Sequence, residues 1–339
     1  MRDVMRGISS IILALSAISL VSAADQTLAV PADWKASPYR FAASAQRTAF
    51  ILHPTAVDPF VSSSKVMIAP AAGSPIYTEL PGKVFDVAYS PSGSHLLAHH
   101  DGPDTRRVSL LGGANGTVVW TKLNDPRIFT FSASGNVVVA HQQHGETAAG
   151  KDIEIFDLAG TSLRRVQFDT IVTSALVAND ASGVIVAIGR TVTAFRLVDG
   201  SITPEWSFDL GTVDPPIHRL ESLGPNRFAV LEELGYFKVV RWDGTIEYSY
   251  NPEALDAADP ARTFEEYASY RVFPTPLADK LLLFRNSSDA LILNLTTGTL
   301  TSKSIEIAAP QGFELMHQII SSRMVFNSGT HLSVRTIGF

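Results

Sequence analysis

The chain has no cysteine in its 339 residues, which excludes both a disulfide framework and a thioether-linked lipid anchor. It also lacks any block of like charge. The 27 Lys and Arg and 33 Asp and Glu leave a formal net charge of −6, spread along the chain without a basic stripe to neutralise phosphates, so nucleic acid is not an expected partner. After the first two dozen residues no apolar run approaches about 20 residues, and no membrane span is expected. Catalytic signatures are scarce as well: there is no G-x-S-x-G elbow, no P-loop, no H-E-x-x-H helix and no thiol nucleophile. Two acid pairs, Asp152 with Glu154 and Glu232 with Glu233, have the residue types of glycoside chemistry. The first pair shares one strand face and the second points to opposite faces, as solvated strand ends do.

What is present begins with the first residues. Arg2 and Arg6 precede an apolar run from Ile8 to Leu20 and the small-residue sequence Val21-Ser22-Ala23. This is the pattern of a secretory signal peptide, expected to span 1–23 and to be cleaved near Ala24. The remaining residues, 24–339, are enough for one large all-β domain held by its own core, since 45% of the chain is hydrophobic. Export without cysteine fits a periplasmic or extracellular location.

Glycine supplies the strongest signal. Hairpin-like passages recur, among them "VSLLGGANGTVVWTKL", "IEIFDLAGTSLRRVQF" and "FKVVRWDGTIEYSY". Each is a β-branched or aromatic run, a glycine-containing turn and a second such run. The turn glycines are Gly73, Gly116, Gly160, Gly200, Gly244 and Gly298, at intervals of 43, 44, 40, 44 and 54. Two further short strands precede most hairpins, as in "VFDVAYSPSGSHLLAHH" and "RIFTFSASGNVVVAHQQH". A period in the low forties with four strands per unit is that of a propeller blade. The longest interval holds an insertion, 251–269, where Asp259-Pro260 is expected to cap a short helix.

One more period of 40 from Gly298 reaches Gly338, next to the last residue, so the final unit lacks its fourth strand. The segment 24–33, "ADQTLAVPAD", has no blade of its own and is expected to fill that place, closing a ring of seven blades and removing the free edge. With its "SPSG" and "SASG" turns between first and second strands and its "DG" or "TG" turns between third and fourth, the chain resembles a seven-bladed β-propeller of the WD40-like or YVTN type. It departs from eukaryotic WD40 blades, which end in Trp-Asp. No blade has the A-x-D-x-x-T-G-x-x-x-W pattern of quinoprotein alcohol dehydrogenases, so no PQQ, and no other cofactor, is expected.

Histidines are the main candidate chemistry. Aligning "QRTAFILH", "SGSHLLAH" and "SGNVVVAH" puts His53, His99 and His141 at one position, the end of the second strand, in three successive blades. The resemblance to known propellers places these ends on the loop-rich face, where His100, His144 and the insertion would join them. A metal site is not expected, because equivalent residues of neighbouring blades point the same way round the ring and do not converge on one ion. A second set, His218, Arg219, Arg271 and His317, falls on predicted first strands lining the central channel, where cations could hold an anionic small molecule. The expectation is a monomeric, non-catalytic propeller binding a protein partner or small ligand through its loop-rich face. The alternative is an enzyme with chemistry at the channel mouth, a lactonase-like hydrolase or the propeller subunit of a redox complex.

Overall fold

The computed structural model describes residues 25–44, 46–56, 63–102, 104–123, 127–142, 151–198, 201–210, 217–232, 236–250, 271–274, 279–284, 289–304, 310–312, 314–320 and 323–336. The expected signal peptide, His144 and the 251–269 insertion lie outside them. The described residues form seven four-stranded antiparallel sheets arranged as the blades of a β-propeller. Blade 1 is β2 (Trp34–Ala43), β3 (Arg47–Pro54), β4 (Ser63–Pro70) and β5 (Ile76–Pro81), and blade 2 is β6 (Val84–Tyr89), β7 (His95–Asp101), β8 (Arg106–Gly112) and β9 (Val118–Leu123). Blade 3 is β10 (Arg127–Phe131), β11 (Val137–Gln142), β12 (Asp152–Asp157) and β13 (Ser162–Gln167). Blade 4 is β14 (Ser174–Val177), β15 (Gly183–Ile188), β16 (Thr191–Val198) and β17 (Ser201–Asp209). Blade 5 is β18 (Ile217–Ser222), β19 (Arg227–Glu232), β20 (Phe237–Arg241) and β21 (Ile246–Tyr250), and blade 6 is β22 (Arg271–Pro274), β23 (Lys280–Phe284), β24 (Asp289–Asn294) and β25 (Thr299–Ser304).

Blade 7 takes three strands from the end of the chain, β26 (Glu314–Ile320), β27 (Arg323–Asn327) and β28 (His331–Thr336), and its fourth from the beginning, β1 (Gln26–Ala29). The register is Gln26 with Val334, Thr27 with Ser333, Leu28 with Leu332 and Ala29 with His331. Leu28 and Val30 are buried in one cluster with Val325, Leu332 and Val334 of blade 7 and with Phe41, Phe50 and Leu52 of blade 1. Arg335 Nη1 reaches Asp25 Oδ2 at 2.5 Å, and Gln26 Nε2 donates to the Pro70 carbonyl at 3.1 Å. The closing strand expected from the sequence is therefore present and ties the last blade to the first.

In every blade the strands run A, B, C, D in the order of the sheet. The A strands of adjacent blades touch: β2 meets both β6 and β26, and β14 meets β18. Strand A thus lies nearest the axis. Strand B is buried on both faces, because each face packs against a different neighbouring blade. In β7, Leu96 and Ala98 pack toward blade 1 while Leu97 packs toward blade 3. This explains why B strands such as "VVVA" and "GVIVAI" read as continuous apolar runs, whereas the outer β9 alternates exposed and half-buried residues over most of its length.

Tryptophans on two D strands clasp the next blade. Trp120 of β9 donates its indole N–H to the Leu158 carbonyl at 3.1 Å, and Trp206 of β17 donates to the Trp242 carbonyl at 3.0 Å. Each ring lies on the glycine of the neighbour's C–D turn. A Cβ at Gly160 would come within 2.8 Å of the Trp120 ring, and one at Gly244 within 2.9 Å of the Trp206 ring. Both glycines have positive φ, 86° and 87°. Glycine there serves the turn and the docking of the ring together.

Candidate functional site

Strand direction divides the ring into two faces. The A–B and C–D turns share one, and no connection there exceeds five residues between strand ends. The B–C and D–A connections share the other, and every connection longer than five residues is on it: 54 to 63, 142 to 152, 167 to 174, 209 to 217, 250 to 271 and 304 to 314. This connection face is the one that the sequence associates with the histidines.

The ladders revise the alignment of those histidines. In blades 2 and 3 the A–B turn closes with Ser90 N donating to His95 O and Ser132 N to Val137 O, whereas in blade 1 Ser44 N donates to Arg47 O. The blade 1 turn is two residues shorter, so Arg47 is the equivalent of His95 and Val137. His99 and His141 are then true equivalents, each four residues into strand B, and their counterpart in blade 1 is Ile51. His53 lies two positions further toward the connection face.

Nor do these side chains form a common rim. His99 and His141 are 6% and 4% exposed and His100 is 0% exposed. His53, His99 and His141 each face the following blade, so they occupy three different seams. His99 packs beside Phe85 and Phe129, with ring centroids 6.2 and 6.4 Å away. His100 faces back toward blade 1. Its Nδ1 is 3.0 Å from the Pro81 carbonyl and 2.9 Å from the Asp101 carbonyl, both acceptors, so this nitrogen carries a proton. Its Nε2 is 2.9 Å from Ser109 Oγ, which is 2.8 Å from Thr121 Oγ1. A serine beside an oriented histidine is the arrangement that activates a nucleophile. Here Ser109 is 0% exposed and flanked by His100 and Thr121, so no substrate carbonyl reaches it. The pair joins strands rather than presenting a nucleophile.

His53 is the half-buried member of the set. Its Nδ1 is 3.1 Å from Ser64 Oγ, and the same hydroxyl donates to the Gly82 carbonyl at 2.9 Å and accepts from Val84 N at 3.0 Å. Burial holds its imidazole below the usual 6.5, with Lys83 and Lys35 acting in the same direction. Both lysines are exposed. Further along this face Lys65 Nζ lies 4.3 Å above the Trp34 ring, the exposed Arg106 lies 5.5 Å above Phe85, and Arg40 is 3.7 Å from Asp86. The resulting surface on blades 1 and 2 is aromatic and of mixed charge, with Lys35, Lys65, Lys83 and Arg106 interleaved with the exposed Asp33, Glu79 and Asp104. The sequence reading missed it because these residues come from the ends of different strands and share no motif.

Among the second set, Arg219 lies on β18, an A strand, and its guanidinium pairs with Glu221 two residues along the same strand. It therefore meets a carboxylate of its own blade. His218, Arg271 and His317 also fall on A strands, β18, β22 and β26, but their side chains lie outside the described residues. Three of the paired acids are engaged too, Asp152 with Arg165 at 2.7 Å, Glu154 with Ser162 at 2.7 Å and Glu232 with Lys238 at 2.9 Å, and Asp152 and Glu232 are buried in these contacts rather than solvated, while Glu233 lies outside the described residues. Among the described residues no three of His, Asp or Glu come together to hold a metal.

Burial, the largest effect on His99, holds its pKa below 6.5, while Asp86 and a backbone hydrogen bond oppose the shift only in part. A histidine whose folded pKa is depressed binds fewer protons folded than unfolded just below pH 6.5, so stability falls as pH drops through that window. The urea midpoint is expected to be lower at pH 5 than at pH 7.5, with a shallower slope in His99→Gln. A midpoint that does not change with pH in the wild type would contradict this burial.

The geometry is that of a seven-bladed β-propeller with one loop-bearing face. No protein-family model matches the chain, and no curated protein matches it in sequence.

Proposed function

We propose that the protein is an exported, non-catalytic propeller of the WD40-like or YVTN type that binds a protein partner or small ligand through its connection face. The observation that carries this reading is the asymmetry of the faces: all connections longer than five residues leave from one of them. A ring closed by strand pairing holds those connections on a fixed base, and loops on a rigid scaffold are where binding function concentrates. The exposed Lys35, Lys83 and Arg106, interleaved with the exposed Asp33, Glu79 and Asp104 beside Trp34 and Phe85, favour a partner with apolar groups and charges of both signs. The "SPSG" and "SASG" turns support the type, and the first 23 residues support export.

The test is capture from periplasmic extract by the wild type and by a Lys35→Glu, Lys83→Glu, Arg106→Glu variant that melts at the wild-type temperature. A partner held by the first and released by the second supports the reading. A partner held equally by both contradicts it. N-terminal sequencing of the protein from its producing cells is expected to begin at Ala24, and an intact Met1 in the mature protein would overturn export.

A further inference from the structure

The seam between blades 1 and 2 carries a line of hydrogen bonds whose direction is fixed from its buried end. His100 Nδ1 lies 3.0 Å from the Pro81 carbonyl and 2.9 Å from the Asp101 carbonyl, and carbonyls only accept. In the neutral ring Nε2 is then the acceptor. Its neighbour at 2.9 Å is Ser109 Oγ, which therefore gives its one proton to the imidazole. Ser109 Oγ has a second contact, Thr121 Oγ1 at 2.8 Å, and with its own proton committed it accepts there. The donor is Thr121. Every proton in the line consequently points inward, from Thr121 through Ser109 to His100.

Burial follows the same line. His100 and Ser109 are closed off from solvent, whereas Thr121, on the outer strand β9, is exposed. Thr121 pairs with Ser109 across β8 and β9, and the exposed Leu123 lies two residues further along the same side of the sheet. Ser109 is out of reach of a substrate, but the hydroxyl at the end of the line is not. A hydroxyl whose proton is drawn toward a base is an activated nucleophile. Among the described residues the Thr121 hydroxyl has no second hydrogen bond, which leaves its lone pairs for an electrophile. Thr117 and Thr161 are exposed as well, in the C–D turns of blades 2 and 3, with no histidine bonded to either among the described residues.

We propose that Thr121 is a covalent modification site, an oxygen nucleophile that takes the acyl group of an activated carboxylic ester, with His100 as general base acting through Ser109. Thr121 Oγ1 bonds to the ester's carbonyl carbon as its proton passes to Ser109 and that of Ser109 passes to His100 Nε2. The imidazolium so formed donates from both nitrogens, to Ser109 and to the Pro81 and Asp101 carbonyls. The ester's C–O bond breaks, the leaving oxygen carries off its electron pair, and the proton on His100 returns along the line to that oxygen or to water. What remains is an ester on Thr121. The product is a modified protein, and the site does not rest on the partner surface.

The test treats the full mature chain with p-nitrophenyl acetate at neutral pH and maps acetylated peptides by mass before and after hydroxylamine, which removes esters and leaves the amides formed on lysines. Acetyl ester is expected on Thr121 about a hundredfold faster than on Thr117 or Thr161, the lower end of what a positioned base contributes. Ser109→Ala removes the relay and keeps the nucleophile, so its Thr121 is expected to react only as fast as the other two threonines. Thr121→Ser is expected to match or exceed the wild-type rate. Ester that forms on Thr121 no faster than on Thr117 and Thr161 would overturn the site, and this comparison within the wild type needs no variant to fold. A folded Ser109→Ala protein acetylated on Thr121 at the wild-type rate would overturn it equally.

Discussion

Removing residues 25–30 from the mature chain is expected to lower its melting temperature by about 10 °C and to make it self-associate. The deletion takes away Leu28 and Val30, both buried between blades 7 and 1. Burying side chains of this size contributes about 1.5–3 kcal/mol each, so about 3–6 kcal/mol is lost. In a domain of this size each kcal/mol corresponds to roughly 2 °C. The deletion also uncovers the outer edge of β28, whose residues from His331 to Val334 pair with β1. A free strand edge is a template for another chain. Differential scanning calorimetry and light scattering read the two effects separately. A truncated protein that stays monomeric and melts with the intact one would show that the contacts of β1 contribute nothing.

The second large effect is expected at Trp206. Its indole stacks against Phe208 and Phe228 at ring separations of 6.0 and 6.3 Å and covers Gly244 of the next blade. Trp206→Ala is expected to cost about 3–5 kcal/mol in urea unfolding, the range for removing a large packed aromatic. Trp206→Phe keeps part of the stack and loses the bond to the Trp242 carbonyl, so a cost of about 1 kcal/mol beyond the lost volume is expected. The pairing with glycine makes a sharper test. Gly244→Ala costs stability in the wild type from both its positive φ and its collision with the ring. In the Trp206→Ala background only the φ penalty, on the order of 1–2 kcal/mol, should remain. Additive costs would mean that ring and turn do not touch.

The same clasp shows why the blades were legible in the sequence. Gly116, Gly160 and Gly244 recur at intervals of 44 and 84, one and two blade lengths, because each fills the positive-φ position of its blade's C–D turn, and spacing is a one-dimensional property. The vacancy filled by β1 was legible for the same reason, since a missing strand is a deficit in a count. The candidate site was not. His53 matched His99 in local sequence, but the Ser44-to-Arg47 turn is two residues shorter than its counterparts, and that offset emerges only from strand pairing. The burial of His99, His100 and His141 was hidden because strand B is covered on both faces, so no alternation marks which side chains reach solvent. Arg323 and Thr48 lie 275 positions apart and bond only because the ring closes between them.

Closure is thus the claim on which both the fold and the connection face depend. Since the chain has no cysteine of its own, an Ala29→Cys, His331→Cys double variant reports on it without background. Ala29 and His331 are exposed partners in the β1–β28 ladder. Mild oxidation of the dilute monomer is expected to give one intramolecular disulfide, seen by peptide mass mapping, and a higher melting temperature because the bond closes almost the whole chain into a loop. Two free thiols after oxidation, or a disulfide found only between chains, would contradict the closed ring.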